Sequence, residues 1–206
     1  MGVIESLNSY NNLLNTEYLI TIGRKGKSYS LCLFFDKVDW FHTMGLHYLK
    51  DLEFLNVHGV QTESLYDDII SGKYKNDDFE KSRHYSEEMA SRIELFGRLD
   101  NIIENLNNQE YNFYGFSKKK CPWTNIRADY LINNHARFEN LMLYKKNEDL
   151  AGIIFISEMS IFSSKANMND YTTGQTQYTV LKVEKHDTLT GLITNIFTHK
   201  NYIEKL

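Results

Sequence analysis

The stretch EMASRIELFGRLDNIIENLNNQEYNFYGF, residues 88–116, decides the fold class, because the period of its apolar residues changes inside it. Met89, Ile93, Phe96, Leu99, Ile102, Ile103 and Leu106 recur at steps of three and four, the apolar face of a helix predicted over 79–106. Asn107, Asn108 and Gln109 end that run. Beyond Tyr111 the chain breaks into short apolar, β-branched and aromatic runs at 112–116, 128–132, 138–144, 151–157, 177–183 and 192–197, separated by polar loops. A helical region followed by strand-length runs reads as α+β: helical N-terminal and middle regions packed on a curved antiparallel sheet of about five strands. Residues 1–206 are read as a single domain, 1–110 mainly helical with an early hairpin and 111–206 mainly β.

Working outward, Val3, Leu7, Tyr10 and Leu14 predict a short helix over 3–15. Tyr18, Ile20 and Ile22 alternate on one side of GRKGK (23–27), and Tyr29, Leu31 and Leu33 on the other, which reads as a hairpin. DWFHTMGLHYLKDLEFL (39–55) reads as a helix that contains Gly45. A mid-helix glycine costs about 1 kcal/mol against alanine; a close contact, a ligand approach or a break in the helix would explain it. Another helix is predicted over 62–71, with Thr62 as its N-cap.

Composition narrows the functional classes. The 206 residues carry a net charge of −4, and Pro122 is the only proline. Residues 1–110 hold 11 basic and 18 acidic residues, whereas 111–206 hold 12 and 9. Such a chain is no basic nucleic-acid coat, and a polyanion would favour its C-terminal half. Cys32 and Cys121 cannot build a disulfide framework or a zinc cluster. No apolar run reaches the roughly 18 residues of a membrane span, and the expectation is a cytoplasmic protein. There is no Walker loop, no GxGxxG and no GxSxG elbow.

Two segments hold side chains with usable chemistry. In FHTMGLHYL, His42 and His47 are five apart, about 140° around a regular helix, and cannot share one metal there. His42 reads either as a core or capping histidine or as an acid–base group. In DYTTGQTQYTVLKVEK (170–185), Gln177 and Thr179 share one strand face and Lys182 the other, which reads either as a phosphate cradle or as a decorated edge strand.

Several pieces resemble the phage-encoded barnase/EndoU/colicin/RelE-like nuclease superfamily, and its fourth subgroup in particular. They are FFDKVDWFHTMGL (34–46), the helix over 92–106, IRADYL (126–131), and DYTTGQ (170–175) running into TVLKVEK (179–185). The resemblance implies N-terminal helices followed by a curved sheet, and metal-independent RNA cleavage with no cofactor. It implies a catalytic set of His42, His47, Tyr171, Thr179 and Lys182, with Arg127, Gln175, Gln177 and Lys185 holding substrate. RNA is the partner it implies, with a protein inhibitor or antitoxin as a second. The rival reading is a catalytically inactive inhibitor or adaptor that binds a protein through the acidic half.

Overall fold

The computed structural model describes residues 1–106 and 110–203; the expected helix terminator at 107–109 lies outside them. Among the described residues six α-helices and eight strands follow one another in the order α1 (Val3–Asn11), β1 (Thr16–Arg24), β2 (Lys27–Phe34), α2 (Trp40–Met44), α3 (Gln61–Ile70), α4 (Asn76–Glu80), α5 (Glu87–Phe96), α6 (Leu99–Glu104), β3 (Asn112–Gly115), β4 (Tyr130–Asn134), β5 (Glu139–Glu148), β6 (Ile153–Ser163), β7 (Thr176–Asp187) and β8 (Ile193–Thr198). No helix among the described residues is long and apolar enough to cross a membrane.

The sheet is not an open one of about five strands. Strands pair in the order β1-β2-β6-β5-β4-β3-β7, and β7 pairs back onto β1, which closes a seven-stranded barrel with β8 added outside the ring. The early hairpin supplies two of its staves. What closes the ring is the length of β7, 12 residues. One of its edges runs along β1 from Thr179 to Asp187, while the other pairs first with β3 and then with β8. A reading of apolar runs sees each strand but not which edges meet, so the closure was invisible.

Inward-facing residues match across the staves. Val183 opposes Ile20, Ile20 opposes Leu31, and Leu31 opposes Ile154. On the far wall Ile161 opposes Leu141, Leu141 opposes Ile132, and Ile132 opposes Phe113. These side chains and the apolar faces of the helices form one continuous core. A bulge between Tyr144 and Lys145 shifts the β6 register, so Ile154, Ile156, Met159 and Ile161 all belong to it. The alternate residues Leu131 and Met142 face outward into a second, smaller core beneath the segment 116–128, with Phe116, Cys121, Ala128 and Tyr171.

One pairing in the ring is parallel, β2 with β6, and it spans only Ser30–Leu33 against Ile153–Ile156. Beyond it β6 has a free edge, and helices fill the gap: the Thr43 hydroxyl of α2 donates to the Met159 carbonyl at 3.1 Å. The helices are also shorter than their periodicity predicts. The run over 79–106 is interrupted at Gly97 and Arg98, and its main segment starts at Ser86, whose hydroxyl caps the Met89 N–H. Thr62 sits inside α3 and donates to the Gly59 carbonyl instead of capping. The predicted helix over 39–55 ends at Gly45 and continues as two short 3-10 turns.

Candidate active site

The break at Gly45 builds the site. Its φ is +88°, the left-handed region open to glycine, and its N–H closes α2 onto the Phe41 and His42 carbonyls. The chain turns into the 3-10 segment Leu46–Tyr48, so His47 folds back over His42. A straight helix would point these rings about 140° apart; here their centroids are 4.7 Å apart. His47 also lies against the Tyr48 ring at 4.0 Å. His42 is exposed, so it is no core histidine, and His47 is half-buried.

Arg92 of α5 completes the cluster. Its Nε donates to the Thr43 carbonyl at 3.0 Å, and its Nη2 donates to the His42 carbonyl at 3.3 Å and to the Ser160 hydroxyl at 3.4 Å. Its guanidinium lies over the Tyr48 ring, 5.4 Å from the centroid. Among the described residues no carboxylate pairs with it. A half-buried cation held only by neutral oxygens keeps its positive field for a ligand, because nothing on the protein neutralises it. Gly45 is part of this arrangement too, since a Cβ there would sit 2.7 Å from Arg92 Cδ and 2.8 Å from Nε. Arg92 was missed in the sequence; the signal that pointed to it was the unexplained glycine in an apolar helix.

The surroundings tune the titratable groups. Burial, then the neighbouring His42 and Arg92, push His47 down to about 4, against the Phe41 carbonyl, so its imidazole is neutral at pH 7. Its Nδ1 is buried, which leaves Nε2 as the nitrogen able to meet a ligand. One turn before His42, Asp39 is pushed up to about 6 by burial and by the carboxylates of Asp36 and Glu158, with Lys146 opposing. It lines a groove of about 340 Å³ with Tyr144 and Lys146.

Of the residues expected at the site, the structure brings His42 and His47 together and places the others elsewhere. Tyr171 is buried in the smaller core, its ring 5.1 Å from Phe162. Gln175 clamps the Ser117 peptide, accepting from its N–H at 2.8 Å and donating to its carbonyl at 3.1 Å. Gln177 donates to the Asn112 side chain at 3.1 Å. Thr179 is exposed where a groove of about 450 Å³ meets one of about 610 Å³ that includes Arg24, Lys25 and Lys27. Lys182 pairs with Glu184 at 3.0 Å, and Lys185 with Glu104 at 2.8 Å. Arg127 is exposed beside β4. Strands β2 and β1 stand between β6, to which Thr43 beside His42 is bonded, and β7. Among the described residues no three His, Cys, Asp or Glu side chains converge as a metal site.

No curated protein and no solved structure matches the chain. A family model does, over residues 3–200, nearly the whole length. The chain belongs to the family that this model describes, phage-Barnase-EndoU-ColicinE5/D-RelE like nuclease4.

Proposed function

We propose that the chain is a metal-independent RNA endonuclease in which His42 and His47 form the acid–base pair and Arg92 binds the scissile phosphate. The observation that carries this reading is the half-buried Arg92 guanidinium, unpaired with any described carboxylate and bonded to the His42 carbonyl, beside a His42–His47 pair whose ring centroids are 4.7 Å apart. Neutral His47 takes the proton of the ribose 2′-OH, and the oxygen attacks the adjacent phosphorus. His42 acts as the general acid toward the departing 5′-oxygen, leaving a 2′,3′-cyclic phosphate and a 5′-hydroxyl. The Arg92 guanidinium, with no described carboxylate to neutralise it, would meet a phosphate oxygen as negative charge builds in the transition state. The exposure of His42 favours this over the inactive binding module, which would seal it in the core. A toxin or effector setting, with cytoplasmic RNA as target, rests on the family alone.

The test is purified protein incubated with total RNA, with and without EDTA. Cleavage that survives the chelator and yields cyclic-phosphate ends supports the reading; RNA left intact across pH 5–9 defeats it.

A further inference from the structure

The segment 116–128, FSKKKCPWTNIRA, carries four positive charges and no carboxylate in a chain whose net charge is −4. It is a held loop rather than a loose one. Gln175 clamps the Ser117 peptide from behind, and Cys121 is buried with its thiol directed at the Tyr171 carbonyl. The Lys120 stem lies over Gly174. Lys119 and Lys120 are exposed, and among the described residues none of the three lysines forms an ion pair. Trp123 is 49% exposed. It touches the Tyr171 ring at 6.3 Å in an edge-on contact. Asp170, in the loop beneath, is already bonded to Thr172 and Thr173.

The loop connects to the candidate active site along one outer face. Tyr171 meets Phe162 at 5.1 Å. Two residues back on the same face of β6 is Ser160, which holds Arg92. The ring contacts, the two-residue step along β6 and the bond from Arg92 to Ser160 make that path about 20–30 Å. A single strand covers it with several nucleotides.

We infer that Lys118, Lys119, Lys120 and Trp123 form a single-stranded RNA subsite that holds the substrate several nucleotides from the cleaved bond. Lysines meet the backbone and an open indole stacks a base, the combination used by proteins that grip single strands without reading sequence. The inference rests on the proposed cleavage site for its direction, but its binding arm is independent of cleavage.

The chain has two tryptophans, and Trp40 is fully buried with its N–H donated to the Thr62 carbonyl, so added ligand reaches Trp123 alone. The probe is a ten-nucleotide single-stranded RNA with 2′-O-methyl riboses, which binds but lacks the attacking hydroxyl. Titration should quench tryptophan emission, and Trp123→Ala should abolish the signal and weaken binding by about 5- to 100-fold in a polarisation assay, the range of one base stacked on an aromatic. Replacing the three lysines by alanine should weaken binding and flatten its salt dependence. With cleavable substrates, Trp123→Ala should lower the ratio of kcat/KM for the ten-mer to that for a dinucleotide, too short to span the path. Unchanged emission on binding, wild-type affinity in Trp123→Ala, or equal loss for duplex and single strand would overturn the inference. A protein that binds the methylated strand through Trp123 but cuts no RNA overturns the cleavage mechanism and leaves the subsite standing.

Discussion

Replacing Gly45 with alanine perturbs two things at once, and their sizes follow from the geometry. At φ +88° an alanine pays about 1–2 kcal/mol for its Cβ in the left-handed region. That Cβ would also sit 2.7 Å from Arg92 Cδ, where carbon atoms ordinarily keep about 3.5 Å or more. Arg92 must move by several tenths of an ångström, and its bond to the Thr43 carbonyl is lost with it. A hydrogen bond to a charged group contributes about 1.5–3 kcal/mol, so the expected destabilisation is about 3–5 kcal/mol. In a domain of this size each kcal/mol shifts Tm by about 2–4 °C. Gly26 and Gly59 are internal controls: their φ values are +76° and +57°, and nothing lies within 4 Å of an added Cβ. Their alanine variants should lose only the backbone share, about 1–2 kcal/mol. The assay is thermal unfolding of the three variants beside RNA cleavage. Gly45→Ala should melt lowest and cleave 10²- to 10³-fold more slowly, the usual cost of one misplaced charge stabiliser. The double variant Gly45→Ala/Arg92→Ala should be less destabilised than the sum of its parts, since removing the arginine removes the collision. If Gly45→Ala melts with the controls and keeps full activity, the glycine does not seat Arg92 and the proposed site is wrong.

His42→Ala should reduce cleavage by 10²- to 10⁴-fold with Tm unchanged, because the side chain is exposed; a large fall in Tm with normal cleavage would make it structural. Arg92→Lys keeps the charge but not the fork that reaches Thr43, His42 and Ser160 together, so kcat should fall by more than tenfold, measured on a short RNA. His47 and Asp39 give stability opposite pH slopes. His47, held at about 4, binds fewer protons folded than unfolded, so its contribution rises from pH 4 to 6.5; Asp39, held at about 6, binds more, so its contribution falls from pH 4 to 6. In urea titrations His47→Gln should therefore lose ground against wild type as pH climbs through that window, and Asp39→Asn should gain; the reverse order would contradict the burial assigned to both.

The change of apolar period at Tyr111 marks where the later strands begin, and each of them overlaps a run visible in the sequence, but the open sheet of about five strands expected from those runs is a closed barrel. Closure was not legible. It depends on Thr16–Arg24 meeting β7 some 160 positions later, and edge pairing leaves no trace in local periodicity. The site followed the same division. His42 and Gly45 were noticeable as residues, but the turn that lays His47 against His42 is a consequence of one backbone angle. Arg92 looked like an ordinary polar member of an amphipathic helix. The resemblance implies a catalytic Tyr171 and a substrate-holding Gln175; in the fold Tyr171 packs in the smaller core and Gln175 holds the Ser117 peptide.

The closing of the ring by β7 has a consequence for synthesis. Until residue 187 has left the ribosome, β1 has one unpaired edge and β3 has no outer neighbour, and Arg92 waits for Ser160 on a strand made later than its own helix. Hydrogen bonding between elements so far apart in the chain is slow to form, and open edges in the meantime invite pairing with other chains. On the proposed mechanism, a truncated product ending before β6 holds both histidines but lacks the Ser160 hydroxyl that helps to seat Arg92, so it should cleave no RNA.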